Sequence, residues 1–260
     1  MRLVIKIGGA LLDDPALLDR CAEAFAALSA QGDQVAVVHG GGAALTRMLQ
    51  RLGKQSRFVD GLRVTDAETR DTALMVLAGG INKRLVAALG KRERPAVGIC
   101  GGDGLSFRAR KRHNGGADLG FVGEVTAVNP SWLHAIWDHG AVPVIASVAL
   151  GIDGEYYNVN ADQMAAACAV ACRAHLLAFL TDVAGVWDGQ QRVIPRLPAQ
   201  QVAVLKQSGV VRGGMLPKLE ACQRALAGGV PAVHILPGAA VDAWRQLGRG
   251  EIHIGTELVS

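Results

Sequence analysis

The sequence contains few aromatic residues, little net charge and no long uninterrupted apolar run. Aromatics make up 4% of the 260 residues, yet half of the residues are hydrophobic, which excludes a disordered chain. The net charge of +4 comes from scattered basic residues, so we expect no nucleic-acid-binding surface. Glycine, proline or charge interrupts every apolar run before it reaches membrane-spanning length, and we expect no contact with a membrane.

Cysteine is also sparse, and its spacing argues against a metal site or a disulfide framework. The five cysteines are an odd number, and only Cys168 and Cys172 lie close together, in an alanine-rich helical run. Without a nearby Cys/His pattern, small buried hydrophobic residues are the better interpretation. The first predicted strand starts at Leu3, which leaves no space for a signal peptide. We therefore expect a reduced, soluble, cytoplasmic protein without a metal-ligand cluster.

Short continuous apolar runs alternate with alanine- and leucine-rich segments of helical spacing. Apolar runs without polar alternation predict strands that are covered on both faces, as in a parallel sheet. The predicted strands are residues 3–7, 34–38, 96–100, 142–145, 176–180 and 231–235, and the predicted helices are residues 14–29, 43–52, 67–89, 161–174, 198–207 and 216–227. This order predicts an α/β sandwich around a mainly parallel open sheet.

Residues 56–64 and 105–125 break this alternation. Their short polar-apolar runs with turn residues predict β-hairpins that project from the sheet. The second hairpin contains a basic run from Arg108 to His113, which we interpret as a solvated loop, with a phosphate or partner contact as the alternative. We predict a single domain over residues 1–260, with a soft division near residues 151–154 between two halves of one sheet.

Two lysines stand beside glycine pairs. Lys6 lies inside an apolar strand, at the carboxyl edge where open α/β sheets bind ligands. A buried ammonium is costly without a partner or a ligand, although Lys6 could instead extend into solvent at the sheet edge. Lys218 is predicted in the first turn of a helix, where the helix dipole disfavours a cation. An anionic ligand such as a phosphate would explain both positions.

His39 and the three glycines at residues 40–42 follow the second predicted strand and open a helix. Successive glycines let backbone N–H groups close on an oxyanion, and a helix N-terminus adds positive potential. A plain strand-to-helix turn rarely needs three glycines in a row. We interpret His39 as a packing or hydrogen-bonding residue rather than a base. The spacing fits neither a Walker A loop nor a dinucleotide fingerprint.

Two further segments carry polar side chains that suit an anionic ligand. Arg63 follows an Asp-Gly turn, and its planar fork matches a carboxylate, although a surface ion pair with a nearby aspartate explains it equally well. Asn160 is predicted to cap a helix, which places Asp162 in a first turn where the dipole favours it without catalysis. In the functional alternative, Asp162 holds the two lysines and Asn158 presents its amide to a substrate.

Five motifs in this order resemble the amino-acid kinase family: Lys-x-Gly-Gly, His-Gly-Gly-Gly, Gly-Leu-Arg-Val-Thr, Asn-x-Asn-Ala-Asp and Gly-Gly-Met-x-Pro-Lys. The likeness runs from Lys6 to Thr256 and is greatest for the N-acetylglutamate kinases. It implies a three-layer αβα sandwich and the ATP-dependent phosphorylation of the side-chain carboxylate of N-acetyl-L-glutamate in arginine biosynthesis. It also implies an acceptor-binding, dimerising N-terminal half (about residues 1–150) and an ATP-binding C-terminal half (about 151–260).

The resemblance further implies a role for each motif residue. Lys6 and Lys218 would stabilise the transferring phosphoryl group, and Asp162 would orient both lysines. Backbone amides of Gly8, Gly9, Gly41 and Gly42 would hold phosphoryl oxygens or the acceptor, and Arg63 and Asn158 would hold the acceptor's α-carboxylate. ATP would contact Thr181, Asp182, Gly185, Val186, Gly213, Gly214 and Met215. Magnesium would be held mainly through the ATP phosphates.

Alternatives remain open within and beyond this family. A sibling kinase that acts on α-aminoadipate or glutamate linked to an acidic carrier protein has similar motifs, and the basic run at 108–112 suits such a carrier. Uridylate, aspartate, glutamate and carbamate kinases fit the motifs less well. A non-catalytic amino-acid sensor on this fold should lack Lys6, Asp162 or Lys218, and all three are present.

The resemblance also carries an expectation about assembly. Arginine-inhibited members of the family have an extra N-terminal helix that serves in hexamer assembly. Here the first predicted strand begins at about residue 2, which leaves no room for that helix. We therefore expect a homodimer that arginine does not inhibit.

Overall fold

The computed structural model describes residues 1–113, 118–247, 249 and 252–260. Its strands are β1 (Arg2–Ile7), β2 (Gln34–His39), β3 (Phe58–Val59), β4 (Leu62–Arg63), β5 (Ala96–Ile99), β6 (Phe107–Lys111), β7 (Val122–Val128), β8 (Val142–Ala146), β9 (Val148–Gly151), β10 (Tyr156–Val159), β11 (Leu176–Thr181), β12 (Arg196–Pro198), β13 (Ala232–Pro237) and β14 (Thr256–Val259). Its α-helices are α1 (Gly9–Asp13), α2 (Pro15–Ala30), α3 (Gly42–Arg51), α4 (Ala67–Ala73), α5 (Asn82–Gly90), α6 (Ser131–Asp138), α7 (Ala161–Ala171), α8 (Gln201–Gln207), α9 (Met215–Ala227) and α10 (Val241–Trp244). A π-helical segment, Leu74–Ile81, joins α4 to α5, and a 3₁₀ turn, Asp103–Leu105, precedes β6.

Eight strands form one open sheet in the order β12-β14-β13-β11-β1-β2-β8-β5. Neighbouring strands run parallel apart from the antiparallel pair β13–β14. The central strand β1 contributes Lys6, which lies beside Val38 on one side and Phe179 on the other. The predicted α/β class with a mainly parallel sheet is confirmed.

Each face of the sheet has its own hydrophobic core. Successive residues of a strand point to opposite faces, so Val4 packs in the core with Met164 of α7 and Leu219 of α9. Ile5 packs in the other core, with Phe25 of α2 and Leu85 of α5. The sheet is therefore the middle of three layers. Lys6 shares the face of Val4, which is the face that α7 and α9 cover.

The helix from Ala67 to Gly90 is the one described helix that is long and apolar enough to span a membrane by composition. Its Leu77, Ile81, Leu85 and Leu89 are buried in the same core as Val37 and Val144 of the sheet. A buried core helix passes the same test of length and composition, so this one helix is weak evidence for a membrane span.

The second predicted hairpin is present, but its basic residues are not in a loop. Strands β6 and β7 pair antiparallel and close a small barrel with β9 and β10. The basic residues up to Lys111 therefore lie in a strand, so the prediction of a solvated loop is wrong for them. This segment forms a strand because its apolar and basic side chains alternate. Phe107 and Ala109 face the barrel core, and the basic residues beside them face outward. Residues 114–117 of that hairpin lie outside the described part of the chain.

Smaller features agree with the sequence in most respects. The first predicted hairpin is present as β3–β4, and all five cysteines are buried free thiols. The helix predicted from residue 198 begins only at Gln201, because Pro198 ends strand β12. The expected division at residues 151–154 falls in the turn between β9 and β10, which pair antiparallel.

Candidate active site

Three charged side chains meet at the carboxyl edge of the central strands. Lys6 Nζ lies 2.9 Å from Asp162 Oδ1, and Lys218 Nζ lies 3.0 Å from both carboxylate oxygens of Asp162. The side chains of Lys6, Asp162 and Lys218 are only 12%, 9% and 7% exposed. Lys6 therefore does not extend into solvent, and that alternative is wrong.

Local structure places each member of this cluster. The Asn160 side chain accepts the N–H groups of Asp162 and Gln163 at 2.9 and 3.2 Å, which confirms the predicted cap of α7. Asp162 thus occupies the first turn of that helix. Lys218 lies in the first turn of α9, with its ammonium 5.3 Å from the centre of the Phe179 ring.

Burial and charge act together on the ionisation of the cluster. Burial alone would raise the pKa of Asp162, but Lys6 and Lys218 outweigh it and lower that pKa below its usual value. Burial, together with the charge of Lys6, lowers the pKa of Lys218 although Asp162 opposes the change. Two ammonium groups against one carboxylate leave one positive charge in excess at a nearly dry site. An anionic group is the ligand that such a site favours.

A cavity of about 240 Å³ opens beside the cluster. Its wall comes from the ends of several strands and from the loops that follow them. The lining residues are Lys6, Gly9, Gly40, Gly41, Gly42, Leu45, Phe58, Gly61, Leu62, Arg63, Leu77, Val122, Ser147, Asn158, Val159, Asn160, Ala161 and Asp162. The structure therefore brings together the predicted lysine–aspartate cluster, the glycine-rich turn and the predicted acceptor residues.

The glycine loop, defined here as residues 40–42, lies directly beneath the π-helical segment. A Cβ atom on Gly41 would stand 2.0 Å from Ile81 Cδ1 and 2.9 Å from Leu77 Cδ2. A larger residue at this position would therefore push the loop away from the helix or displace both side chains. The close approach explains the glycine at this position.

Arg63 faces the cavity from the β3–β4 hairpin. Its guanidinium donates hydrogen bonds to the carbonyl of Gly42 at 3.0 Å, to Thr46 Oγ1 at 2.8 Å and to Ser56 Oγ. Asp66 is paired with Lys54 at 2.7 Å instead. Burial lowers the pKa of Arg63, which shows that its charge is partly desolvated. Such a guanidinium suits a carboxylate ligand.

Asn158 lies on β10 and lines the same cavity as Arg63. Its Nδ2 donates to Thr65 Oγ1 at 3.4 Å, and the Thr65 hydroxyl donates to the carbonyl of Arg63 at 2.7 Å. Thr65 thus connects the two predicted acceptor residues. The Gly-Leu-Arg-Val-Thr motif contains this threonine, but its role as a link depends on a contact between distant strands.

Gly8 and Gly9, the two glycines that follow β1, have different backbone surroundings. The N–H of Gly8 donates to the carbonyl of Leu180 at 3.0 Å, and its predicted contact with a phosphoryl oxygen stays a prediction. The strand ladder continues one residue beyond Ile7, which the sequence did not reveal. Gly9 starts α1 and lines the cavity.

The predicted nucleotide residues lie outside the 240 Å³ cavity. Thr181 ends β11, and its hydroxyl donates to Asp182 Oδ1 at 3.0 Å. Gly213, Gly214 and Met215 stand at the start of α9, in front of Lys218. Gly185 approaches Thr256, whose hydroxyl would lie 2.8 Å from a Cβ on this glycine.

Val186, which is also predicted to contact the nucleotide, is held in place by other parts of the chain. Its side chain is buried in the core, its N–H donates to Thr256 Oγ1 at 2.8 Å, and its carbonyl accepts from Ile194 at 2.8 Å. Both its N–H and its C=O are therefore occupied, and its contact with a nucleotide stays a prediction. Apolar burial of a loop valine is not visible from its position after a strand.

Acidic side chains are not arranged as a metal site in the described part of the chain. The carboxylate of Asp162 is already occupied by two lysines. The site therefore suits a magnesium ion that is held mainly by substrate phosphates, because Mg²⁺ commonly keeps several waters and few protein ligands.

Ser147 is a cavity residue that the sequence analysis missed. It follows β8, is 2% exposed, and lines the cavity next to Gly40. Its N–H donates to the carbonyl of His39 at 3.1 Å. Its position at the carboxyl end of a predicted central strand is the signal that could have identified it.

We expect the alkaline limb of the kcat/KM profile to begin below the ordinary lysine value of 10.5. The pKa of Lys218 is lowered in the folded protein, so its charge is present at neutral pH and is lost as pH rises through that lowered value. The measurement is kcat/KM for ATP between about pH 6 and pH 11, made on the wild type and on Lys218→Arg. An Arg variant with the same alkaline limb would contradict the assignment to Lys218.

Comparison with known proteins agrees with this geometry. Residues 1–237 match the model of the amino acid kinase family. The acetylglutamate kinase of Acidobacterium capsulatum is 57% identical over all of both chains. The acetylglutamate kinase of Koribacter versatilis is 51% identical over all of this chain and 99% of its own.

Solved structures with the same architecture include two that exceed 25% identity. The smu.665 protein of Streptococcus mutans superimposes with a TM-score of 0.83 at 26% identity, over 99% of this chain and 98% of its own. The N-acetylglutamate synthase of Neisseria gonorrhoeae, solved with coenzyme A and N-acetyl-glutamate, gives 0.88 at 27% identity, over all of this chain and 59% of its own. The family match and the full-length relatives lead to one conclusion: the chain belongs to the amino acid kinase family.

Proposed function

We propose that this chain transfers the γ-phosphoryl group of ATP to the side-chain carboxylate of N-acetyl-L-glutamate, giving N-acetyl-L-glutamyl 5-phosphate. The observation that carries the proposal is the buried cluster of Lys6, Asp162 and Lys218 beside a glycine loop and an arginine-bearing cavity. The identity of the acceptor draws its support from the full-length relatives, which are named acetylglutamate kinase.

The reaction needs positioning and charge stabilisation rather than a general base. A carboxylate oxygen of the acceptor forms a bond to the γ-phosphorus while the bond from that phosphorus to the β–γ bridging oxygen breaks, and ADP leaves with the electron pair. The acceptor is ionised at neutral pH and is already nucleophilic. The excess positive charge of the cluster stabilises the oxygens of the transferring group.

Asp162 keeps the two ammonium groups in position for this step. Its two oxygens bind Lys218, and one of them also binds Lys6. Because Lys6 belongs to β1 and Lys218 to α9, the carboxylate holds together donors from two layers of the fold. A preorganised pair of donors costs no rearrangement during the reaction.

Arg63 and Asn158 are proposed to hold the α-carboxylate of the acceptor. The backbone N–H groups of Gly41 and Gly42 are proposed to hold phosphoryl oxygens or the acceptor. The support is their common position on the cavity wall and the partly desolvated charge of Arg63. In this proposal the N-terminal half (about residues 1–150) forms most of the acceptor site, to which Asn158 adds its amide, and the C-terminal half (about residues 151–260) binds ATP. The nucleotide would be lined by Thr181, Asp182, Gly185, Val186 and residues 213–215. Mg²⁺ would be held mainly through the phosphates of ATP and would supply further positive charge there.

Self-association is a second part of the proposal. A groove of about 420 Å³ lies between α3 and the long helix. Three exposed apolar side chains line it, namely Met48, Leu52 and Met75, which are 37%, 53% and 64% exposed. Exposed apolar groups of this kind are typical of an interface, and we propose a homodimer in the cytoplasm. A light-scattering mass near that of a single 27.1 kDa chain would contradict it.

The test of the reaction is acyl-phosphate formation trapped with hydroxylamine, in the presence and absence of ATP and Mg²⁺. The acceptors to compare are N-acetylglutamate, glutamate, aspartate and N-acetylaminoadipate. Selective turnover of N-acetylglutamate is the expected outcome. Turnover of another acid, or silence on all four, would contradict the proposal and direct attention to a carrier-bound acceptor.

Replacing Arg63 by methionine is expected to raise the KM for N-acetylglutamate by roughly 10- to 100-fold, because hydrogen bonds to a charged group contribute about 1.5–3 kcal/mol. The KM for ATP should change little. Arg57→Met is a matched control, since Arg57 is an exposed arginine of the same hairpin. Equal effects of the two substitutions on the acceptor KM would refute the role of Arg63.

A further inference from the structure

A buried polar pair lies beneath the glycine loop and takes no part in the chemistry described above. His39 and Asn82 are both 0% exposed. His39 Nδ1 lies 2.9 Å from the carbonyl oxygen of Gly40, and Asn82 Nδ2 lies 3.1 Å from His39 Nε2. Asn82 Nδ2 also donates to the carbonyl of Val144, at 2.9 Å. The pair therefore joins β8, the long helix and the glycine loop.

These contacts determine the tautomer of His39. A carbonyl oxygen only accepts hydrogen bonds, so Nδ1 must carry the proton that faces Gly40. The bare Nε2 then accepts from Asn82, whose second N–H serves Val144. Burial lowers the pKa of His39 to about 4, which keeps the ring neutral at neutral pH and preserves this arrangement.

The orientation of the Asn82 amide follows from the same contacts. If the amide were turned over, its oxygen would face two acceptors, the carbonyl of Val144 and Nε2 of His39. In the observed orientation Asn82 Oδ1 is buried without a hydrogen-bond partner among the described residues. The absence of a side chain at Gly98 makes room for this oxygen, since a Cβ there would lie 1.8 Å from it. A buried acceptor without a partner is unfavourable, so the arrangement calls for a reason.

The peptide between Gly40 and Gly41 provides that reason. In a trans peptide the C=O and the N–H point in opposite directions. Because the Gly40 carbonyl faces His39, the N–H of Gly41 points away from His39. That N–H has no acceptor among the described residues, and Gly41 lines the cavity with Lys6 and Asp162. It is therefore a free donor at the wall of the candidate active site.

We propose that His39 and Asn82 are positioning residues that hold the Gly40–Gly41 peptide in one orientation and so present the Gly41 N–H to an oxygen of the transferring phosphoryl group. The inference rests on the proposed function and deepens it. Ile81 and Leu77 occupy the space that a side chain at Gly41 would need, so the helix lies close against the loop as well as contacting it through Asn82. The donor is preorganised before ATP binds.

Asn82→Asp is the first variant to measure. It preserves the shape of the side chain but removes both N–H groups, so Nε2 of His39 must gain a proton and Nδ1 can lose the one that faces Gly40. Loss of one preorganised oxyanion donor costs roughly 100- to 1000-fold in kcat, and a loosened donor should cost about tenfold or more. The KM for ATP should stay within about threefold of the wild-type value, because a transition-state interaction appears mainly in kcat.

Lys83→Met is the matched control for that variant. Lys83 is the next residue of the same helix, and its ammonium donates to the carbonyl of Gly98 at 3.1 Å on the surface. It contacts the same strand as Asn82 but not the glycine loop, so its kcat should equal that of the wild type. A kcat for Asn82→Asp within twofold of the control would overturn the proposal.

A double variant separates positioning from a purely structural role. Replacing both partners of a buried hydrogen bond by apolar groups of similar shape can restore stability. We therefore expect His39→Leu with Asn82→Leu to recover much of the melting temperature lost in Asn82→Leu while kcat remains low. Recovery of kcat together with the melting temperature would show a structural role only. If the double variant does not fold, Asn82→Asp and the spectra below decide the question.

NMR of the ¹⁵N-labelled wild-type protein gives a readout that does not depend on turnover. The His39 ring, identified by its loss in His39→Gln, should show a protonated Nδ1 and a bare Nε2. The Gly41 amide should shift on addition of Mg·ADP with aluminium fluoride, and this shift should be absent in Asn82→Asp. The opposite tautomer, or an unaltered Gly41 response in the variant, would refute the inference. An inactive wild type with these spectra intact would refute only the proposed function.

Discussion

Replacing Lys218 by methionine is expected to lower the rate of acyl-phosphate formation by roughly a hundredfold or more, by comparison with the loss of one preorganised donor. Methionine fills a similar volume but carries no charge, so the transferring group loses one of its two ammonium partners. The pKa of Lys218 is already lowered by burial, which means that the charge is costly to keep and that its removal should not unfold the protein. The measurement is kcat under saturating ATP and N-acetylglutamate, with the melting temperature alongside.

The control for this substitution is Lys206→Met. Lys206 lies on the neighbouring helix α8, pairs with Glu220 at 3.5 Å and is 58% exposed. Surface pairs of this kind contribute little, so its kcat and melting temperature should match the wild type. A kcat for Lys218→Met close to that of Lys206→Met would remove Lys218 from the reaction.

Replacing Asp162 by asparagine is expected to impair both stability and turnover. The substitution leaves the two buried ammonium groups of Lys6 and Lys218 without the negative charge that now lies between them. Breaking a buried ion pair typically lowers the free energy of unfolding by about 3–5 kcal/mol. Turnover should fall by about a hundredfold or more, because the two lysines then repel each other out of position. Chemical denaturation and kcat are the two measurements.

The pH dependence of this loss has a defined sign. The pKa of Asp162 is lowered in the folded protein, so its stabilising contribution is present at neutral pH and disappears as pH falls through that lowered value. The difference in unfolding free energy between wild type and Asp162→Asn should therefore be smaller in strong acid than at about pH 7. A difference that grows on acidification would contradict the ion-pair account.

Asp242→Asn is a matched control for Asp162→Asn. Asp242 also stands between two cations, Arg20 at 3.2 Å and Arg245 at 3.4 Å. It is 76% exposed, whereas Asp162 is 9% exposed. Solvent screening should make its loss cost at most about 1 kcal/mol. Comparable losses at the two positions would show that burial is not what makes Asp162 important.

Strand and helix identities could be predicted because they follow from local periodicity. The six predicted strands all lie within one or two residues of observed strands, since unbroken apolar runs have few alternatives in a chain of this length. The predictions that were wrong concern segments without such a run. Residues 107–111 alternate basic with apolar side chains, and the choice between a loop and a strand depended on the partner β7.

Site residues could be identified in part because unusual residues stood at strand ends. Lys6 inside an apolar strand and Asn160 before a helix are anomalies that the sequence displays. The ligand contacts of Gly8 and Val186 are implied by the family resemblance and stay predictions. The structure adds that the carbonyl of Leu180 binds the N–H of Gly8 and that the hydroxyl of Thr256 binds the N–H of Val186. Hydrogen-bond partners from other elements cannot be read from local sequence.

The sequence by itself determined the α/β class, the order of its elements and the cap at Asn160. It did so because side-chain spacing and capping are properties of a few neighbouring residues. Only the tertiary structure decided that Lys6, Asp162 and Lys218 share one carboxylate, and that His39 meets Asn82 beneath the glycine loop. These contacts join residues that are distant in the chain, so they exist only once the sheet and its two helical layers have packed.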